Sequence, residues 1–161
     1  MALFQTKVDS IATGSTANTY KTLLGLKFAD TAGHRGRLRR LIVSGGGGAP
    51  QDLQCSIKLR RSDNTGDGTS TSVNTNTISK KDPASVASNV SAIGKNFTAE
   101  PTTIDTDILG GGSFNCRGVL ELAFTEEEAP VWGKNETLLV QGAPGQATAA
   151  TLEIFAVWEE F

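Results

Sequence analysis

Apolar and polar residues alternate with a period of two along most of this chain. The clearest case is the segment 53–60, where Leu53, Cys55, Ile57 and Leu59 are separated by polar side chains. A β-strand with one face in a core and the other in water has this pattern. Similar runs predict eight or nine strands, at 3–8, 20–28, 37–43, 53–61, 71–79 (weak), around 97, 119–124, 137–141 and 152–158.

Two of these strands depart from strict alternation. The doublet Arg39 and Arg40 would place one arginine among core residues, so a β-bulge is predicted at this point. The last strand carries Phe155 and Val157 on the face opposite to its other apolar residues. A central position in the sheet explains that second apolar face, and so does a contact with another subunit.

The strand count predicts the fold class. Eight or nine antiparallel strands in 161 residues indicate a single all-β domain, 1–161, folded as a β-sandwich with jelly-roll topology. The interval 62–107 is predicted to be a long polar excursion, or arm, from this sandwich. Its first half is so poor in apolar residues that we expect it to be mobile until it contacts a neighbour. A short helix is predicted at 82–89, where Pro83 follows the capping residue Asp82.

Composition excludes several classes of protein. No apolar run approaches the roughly 20 residues of a membrane helix, and the first residues lack the layout of a signal peptide. A soluble protein made in the cytoplasm, with no membrane partner, is therefore expected. Cys55 and Cys116 have neither metal-site spacing nor the density of a disulfide scaffold, and both are predicted to be small buried side chains. We expect no metal and no cofactor.

The net charge of −2 conceals a division along the chain. Residues 1–61 contain ten Lys or Arg and three acids, whereas residues 62–161 contain five and fourteen. Direct nucleic-acid binding is not expected, because it usually needs a basic total as well as a basic patch. The division fits contacts between basic and acidic surfaces of different subunits, or between neighbouring strands within one sheet.

Candidate assembly residues follow from the same charges. If the two arginine-rich strands paired, several guanidinium groups would share one surface, which suits either carboxylate contacts between subunits or a face exposed to solvent. No catalytic constellation is predicted, since His34 is the only histidine, although a pair of carboxylates acting as a glycosidase stays open. The predicted assembly contacts are Arg37, Arg39, Arg40, Arg60, Arg61, Phe155 and Val157.

Three segments carry a resemblance to a known group of proteins. They are SIKLRRSDNTGDGTSTSV at 56–73, KDPASVA at 81–87 and FTAEPT at 97–102. Together they resemble the small virion proteins of tailed bacteriophages. The resemblance implies a jelly-roll head decoration or cement protein on the capsid exterior. Such proteins are often homotrimers that reinforce the shell by bridging subunits of the major capsid protein.

A carbohydrate- or receptor-binding sandwich of a phage tail or fibre is the alternative function. A sandwich of that kind uses exposed aromatic side chains as binding platforms. Tyr20 and Trp158 are predicted to face the core, which leaves Trp132 as the one tryptophan free for such a role.

Overall fold

The described part of the chain is built from β-strands and short turns. The computed structural model describes residues 1–29, 33–47 and 51–161. Two 3-10 turns, Asn64–Gly66 and Thr75–Thr77, lie between strands. The strands are β1 Ala2–Ala12, β2 Lys21–Phe28, β3 Arg35–Gly45, β4 Gln54–Asp63, β5 Thr69–Val73, β6 Ser79–Lys80, β7 Val90–Ala99, β8 Gly110–Asn115, β9 Val119–Ala123, β10 Val131–Gly133, β11 Glu136–Pro144 and β12 Thr151–Glu160.

These strands form two antiparallel sheets. The first sheet has the order β10-β3-β12-β1-β6, with β9 also paired to β3, and the second has the order β5-β7-β2-β11-β4-β8. Eight strands make the frame: β1, β12, β3 and β9 lie side by side in the first sheet, and β2, β11, β4 and β8 in the second. This order and its alternation between sheets are those of a jelly roll. The predicted β-sandwich fold is confirmed.

The core lies between the two sheets, because each strand turns its alternate apolar residues inward. Phe4 of the first strand stacks on Trp158, with 6.0 Å between ring centroids. Phe28 meets Trp132 edge to face at 6.3 Å. All four rings are fully buried. Each such side chain stabilises the fold by about 1.5–3 kcal/mol through the apolar surface it removes from water.

Two of the bulges change which side chains face the core relative to strict alternation. In the β3–β12 pair, Val157 lies opposite Arg40 while Trp158 lies opposite Leu38, so Arg39 is the extra residue. The predicted bulge is therefore present. A second bulge occurs in the β2–β11 pair at Leu23, which has no cross-strand partner. It shifts the alternation by one residue, so that Tyr20 and Thr22 lie on the face opposite to Leu24, and the sequence pattern did not reveal it.

Three strands of the segment 62–107 pair with the two sheets, and the mobility expected of its first half in the free subunit stays a prediction. Strands β5 and β7 extend the edge of the second sheet next to β2, and β6 pairs with β1 at the edge of the first. A polar segment can be ordered in this way because edge strands gain backbone hydrogen bonds without a large apolar face. We call residues 64–109 the insertion, since in the sequence they lie between the frame strands β4 and β8.

One local expectation was wrong, and two strands were not predicted. Residues 82–89 form a turn and no helix, with the Asp82 carboxylate accepting the N–H of Ala84 at 2.9 Å. Strand β10 was not predicted because it has only three residues. Strand β8 was not predicted because its three glycines indicate a turn. Here the glycines allow a close approach, since a Cβ on Gly111 would lie 2.3 Å from the carbonyl oxygen of Ile57.

The described residues also bear on membrane insertion. They include no helix that is long and apolar enough to cross a membrane.

Candidate assembly surface

The outer face of the first sheet carries an apolar patch across its central strands. Phe155 of β12 lies directly opposite Ile42 of β3 on one side and Lys7 of β1 on the other. Glu121 of β9 lies opposite Ile42. Residues opposite each other in an antiparallel pair share a face, so these four side chains form one row. The row has an acid at one border, a base at the other and two half-buried apolar side chains between them.

A second row follows on the same face. Val157 lies between Arg40 of β3 and Gln5 of β1, and Ala123 of β9 lies beyond Arg40. Strand β12 therefore lies in the centre of the sheet, as one interpretation of its two apolar faces predicted. Its outward residues Phe155 and Val157 are half-buried, on the face turned away from the core side chains of β12. We call Ile42, Phe155 and Val157 the outer patch.

Charged side chains border the outer patch on both sides. Lys7 forms ion pairs with Asp9 and Glu153, each with 3.1 Å between Nζ and a carboxylate oxygen. Hydrogen bonding to Asp9 first, and then to Glu153, holds the pKa of Lys7 above its ordinary value. On the opposite border, Arg40 Nε lies 2.7 Å from Glu121. These groups are largely exposed, so each pair contributes little to stability and keeps its charge available to a partner.

Arg37 and Arg39 face Glu159 at one end of the same sheet. Arg37 Nη1 donates to Glu159 at 2.9 Å and to Glu126 at 2.7 Å, and Arg39 Nε lies 3.8 Å from Glu159. The guanidinium of Arg37 also lies 4.5 Å from the ring centroid of Phe161. Since Glu159 is buried, its charge has to be compensated, and these two arginines supply the compensation.

The other two predicted arginines lie elsewhere. Arg60 and Arg61 belong to β4, which pairs with β11 and β8 in the second sheet. Arg61 contacts Asp105 at 3.6 Å and Glu136 at 4.0 Å. The two arginine-rich strands therefore do not pair with each other. Arg37, Arg39 and Arg40 share the first sheet with Phe155 and Val157, whereas Arg60 and Arg61 do not.

Ion pairs inside the subunit join the basic first part of the chain to its acidic second part. Most ion pairs among the described residues join a cation of residues 1–61 to an acid of residues 62–161. The pairs of this kind include Lys7–Glu153, Lys27–Asp67, Arg37–Glu159, Arg40–Glu121 and Arg61–Asp105. Of the two interpretations of the division, neighbouring strands within one chain explain these pairs.

The aromatic residues considered as binding platforms are placed differently from the prediction. Trp132 is fully buried in the core, so the expectation that it is free was wrong. Tyr20 is half-buried on the outer side of the second sheet, where the ammonium of Lys58 lies 3.8 Å from its ring centroid. The bulge at Leu23 explains the change of side for Tyr20. Trp158 faces the core as expected.

An open groove at one end of the sandwich holds the single histidine. His34 lines it together with Arg35, Arg61, Lys134 and Glu136. Within residues 1–29, 33–47 and 51–161, no three side chains of His, Cys, Asp or Glu converge as metal ligands. The carboxylate of Glu136 already accepts the backbone N–H of Gly133 at 2.8 Å. The groove thus offers mainly positive charge.

Comparison with known proteins identifies no relative of this chain. The sequence matches no protein-family model, and no curated protein matches it.

Proposed function

We propose that this protein is a non-enzymatic structural protein of a virion. It decorates the exterior of a capsid and stabilises the shell by bridging subunits of the major capsid protein. It works as a homo-oligomer, for which the resemblance to phage decoration proteins implies a trimer. The observation that carries the proposal is the outer patch, an apolar surface on a central strand that is bordered by exposed ion pairs, with Glu121 on one side and Lys7 on the other.

The outer patch suits a protein surface better than water. Phe155, Val157 and Ile42 would each lose apolar area to a partner, at about 25 cal/mol for each Å² removed from water. The borders favour a second copy of the same chain as that partner, because the Glu121 border of one copy can meet the Lys7 border of the next in a head-to-tail contact, which a ring of three requires. Complementary charges of this kind fix register and speed association more than they add affinity.

Light scattering coupled to size exclusion tests self-association. We expect a mass near three times 16.9 kDa at tens of micromolar. Phe155→Asp should give monomers with an unchanged circular dichroism spectrum, because the new carboxylate would be buried unpaired at the contact. Val86→Asp is the matched control, since Val86 is an exposed apolar residue outside the patch. A monomeric wild type, or equal masses for the two variants, would contradict assembly through this face.

A charge exchange tests the borders separately. Glu121→Lys and Lys7→Glu should each weaken association, because each places like charges across the contact. The double variant should recover most of the wild-type association. The fold should tolerate all three, since the intrachain ion pairs of Glu121 and Lys7 are exposed and contribute little to stability. Additive weakening in the double variant would show that these two residues do not face each other.

Binding to a shell tests the remainder of the proposal. Shells assembled from a tailed-phage major capsid protein would be incubated with purified protein and sedimented. We expect the wild type to co-sediment with the shells and to raise the temperature at which they are disrupted. Val86→Asp should have the same two effects. Failure of the wild type to bind would contradict the decoration role, whatever its oligomeric state.

A further inference from the structure

The two cysteines, which are far apart in the sequence, meet in the core. Cys55 lies on β4 and Cys116 directly follows β8, so they are 61 positions apart in the chain. Their sulfur atoms are 3.3 Å from each other, and both residues are buried as predicted. Both thiols are free in this structure.

Backbone pairing between β4 and β8 holds this arrangement. Cys55 lies opposite Phe114 in the β4–β8 ladder, and the N–H of Cys116 donates to the carbonyl oxygen of Leu53 at 2.8 Å. Cys116 therefore continues the ladder two positions beyond Phe114 and shares the face of Cys55. The backbone of β3 also lies close to Cys116, since a Cβ on Gly45 would lie 2.1 Å from the carbonyl oxygen of Cys116. The backbone of Cys116 is therefore held against both β4 and β3.

We propose that Cys55 and Cys116 are a modification site at which an intramolecular disulfide bond forms when the protein meets an oxidant. A disulfide has about 2.05 Å between its sulfurs, so the observed pair has to close by about 1.2 Å. Side-chain rotation with a small shift of the turn after β8 is sufficient for a movement of that size. The site is distinct from the outer patch and acts whether or not the protein assembles.

Hydrogen peroxide is an oxidant small enough to reach buried sulfur. The thiolate of one cysteine attacks a peroxide oxygen, and a sulfenic acid and one water form. The second thiol then displaces the hydroxyl of the sulfenic acid as a second water, and the sulfur–sulfur bond is made. Two thiols and one peroxide thus give one disulfide and two waters, with two electrons passing from sulfur to oxygen.

The thiols should react slowly at neutral pH. Burial, with a smaller effect from the neighbouring thiol, raises the pKa of Cys55 to about 12. Burial also raises the pKa of Cys116 above its ordinary value. Because the thiolate is the reactive form, the oxidation rate should rise about tenfold for each pH unit below these pKa values. Exposed cysteines would instead level off near their ordinary pKa of about 8.5.

The bond would close a loop that contains the whole insertion. The insertion leaves the frame after β4 and returns at β8, and Cys55 and Cys116 lie on the two sides of it. A crosslink across about 60 residues removes much of the conformational freedom of the unfolded chain. For a domain of this size we expect the Tm of the oxidised protein to exceed that of the reduced protein by about 10 °C.

Intact-mass measurement tests the site on the full chain. Protein treated with hydrogen peroxide is unfolded in an alkylating reagent, with and without prior reduction by dithiothreitol. We expect no alkylation after oxidation, two labels after reduction, and a higher Tm only in the unreduced sample. Two alkylated thiols after prolonged oxidation at pH 9 would overturn the proposal. So would sulfur oxidised to sulfinic acid, or a disulfide between two chains.

Single substitutions provide the control. Cys55→Ala and Cys116→Ala each leave one thiol, so oxidation should not raise the Tm of either variant. If one variant fails to fold, the oxidised and reduced wild type still decide the question by themselves. A rise in Tm of a single-cysteine variant would show that the stabilisation does not come from this bond.

Discussion

Replacing Glu160 with glutamine removes part of a buried hydrogen-bond cluster between the sheets. Glu160 is 6% exposed at the end of β12. One carboxylate oxygen accepts Ser88 Oγ at 2.5 Å and Trp158 Nε1 at 3.0 Å, and the other accepts the backbone N–H and side-chain amide of Asn89 at 2.8 and 2.9 Å. Ser88 and Asn89 precede β7, so this cluster fastens the insertion to the frame.

The size of the stability loss in Glu160→Gln follows from the hydrogen-bond donors that are left without an acceptor. Glutamine keeps one acceptor oxygen, and its amide nitrogen then faces the two donors on the other side. Each buried donor without a partner costs about 1–3 kcal/mol. Because Asn89 is half-buried and can recover part of this from water, we expect a loss of about 3 kcal/mol in the free energy of unfolding. For a domain of this size the Tm should fall by roughly 6–12 °C.

Chemical denaturation and thermal melting measure this loss. Glu127→Gln is the matched control, because Glu127 is exposed and its replacement should change stability by less than about 0.5 kcal/mol. Hydrogen exchange locates the effect, since the N–H of Asn89 should lose protection in Glu160→Gln. A loss no larger than that of Glu127→Gln would refute the reasoning, because it would mean that the four hydrogen bonds add nothing beyond hydration.

Two further predictions concern the backbone. Gly45→Ala should lower the free energy of unfolding by several kcal/mol, because its Cβ would overlap the carbonyl oxygen of Cys116. Gly14→Ala is the control, since a Cβ there has no atom within 4 Å and should change the free energy of unfolding by less than about 0.5 kcal/mol. Equal effects of the two substitutions in denaturation curves would contradict the close approach. Trypsin should cleave the free protein after exposed Lys81 well before Lys95, which lies in β7 between β2 and β5. Equal rates, followed by mass spectrometry, would favour the mobile arm expected from composition.

Several features of the fold were predictable because they depend on residues close together in the chain. Alternation in 53–60 requires one face of β4 to be buried, whichever strands lie beside it. The doublet Arg39 and Arg40 could avoid a buried charge through a bulge, and the bulge is present. Apolar residues on both faces around Phe155 are consistent with the central position of β12.

The composition of the insertion was less informative. Its polar character is real, yet β5, β6 and β7 are held by hydrogen bonds to strands that are distant in sequence. The glycines of β8 indicated a turn, although contact with Ile57 across the ladder makes the absence of a side chain necessary. In both cases the structure depends on a strand that is distant in sequence, which a local pattern cannot identify.

The sequence by itself determined that this is an antiparallel sandwich and which side of most strands faces the core. Tertiary structure alone decided which strands are neighbours, and therefore that Arg39 and Arg60 lie in different sheets and that Cys55 meets Cys116. The reason is physical. Period-two alternation reports burial perpendicular to a sheet, whereas hydrogen bonding within a sheet joins backbone groups that are the same in every residue except proline. The choice of neighbours is made by packing of the whole chain.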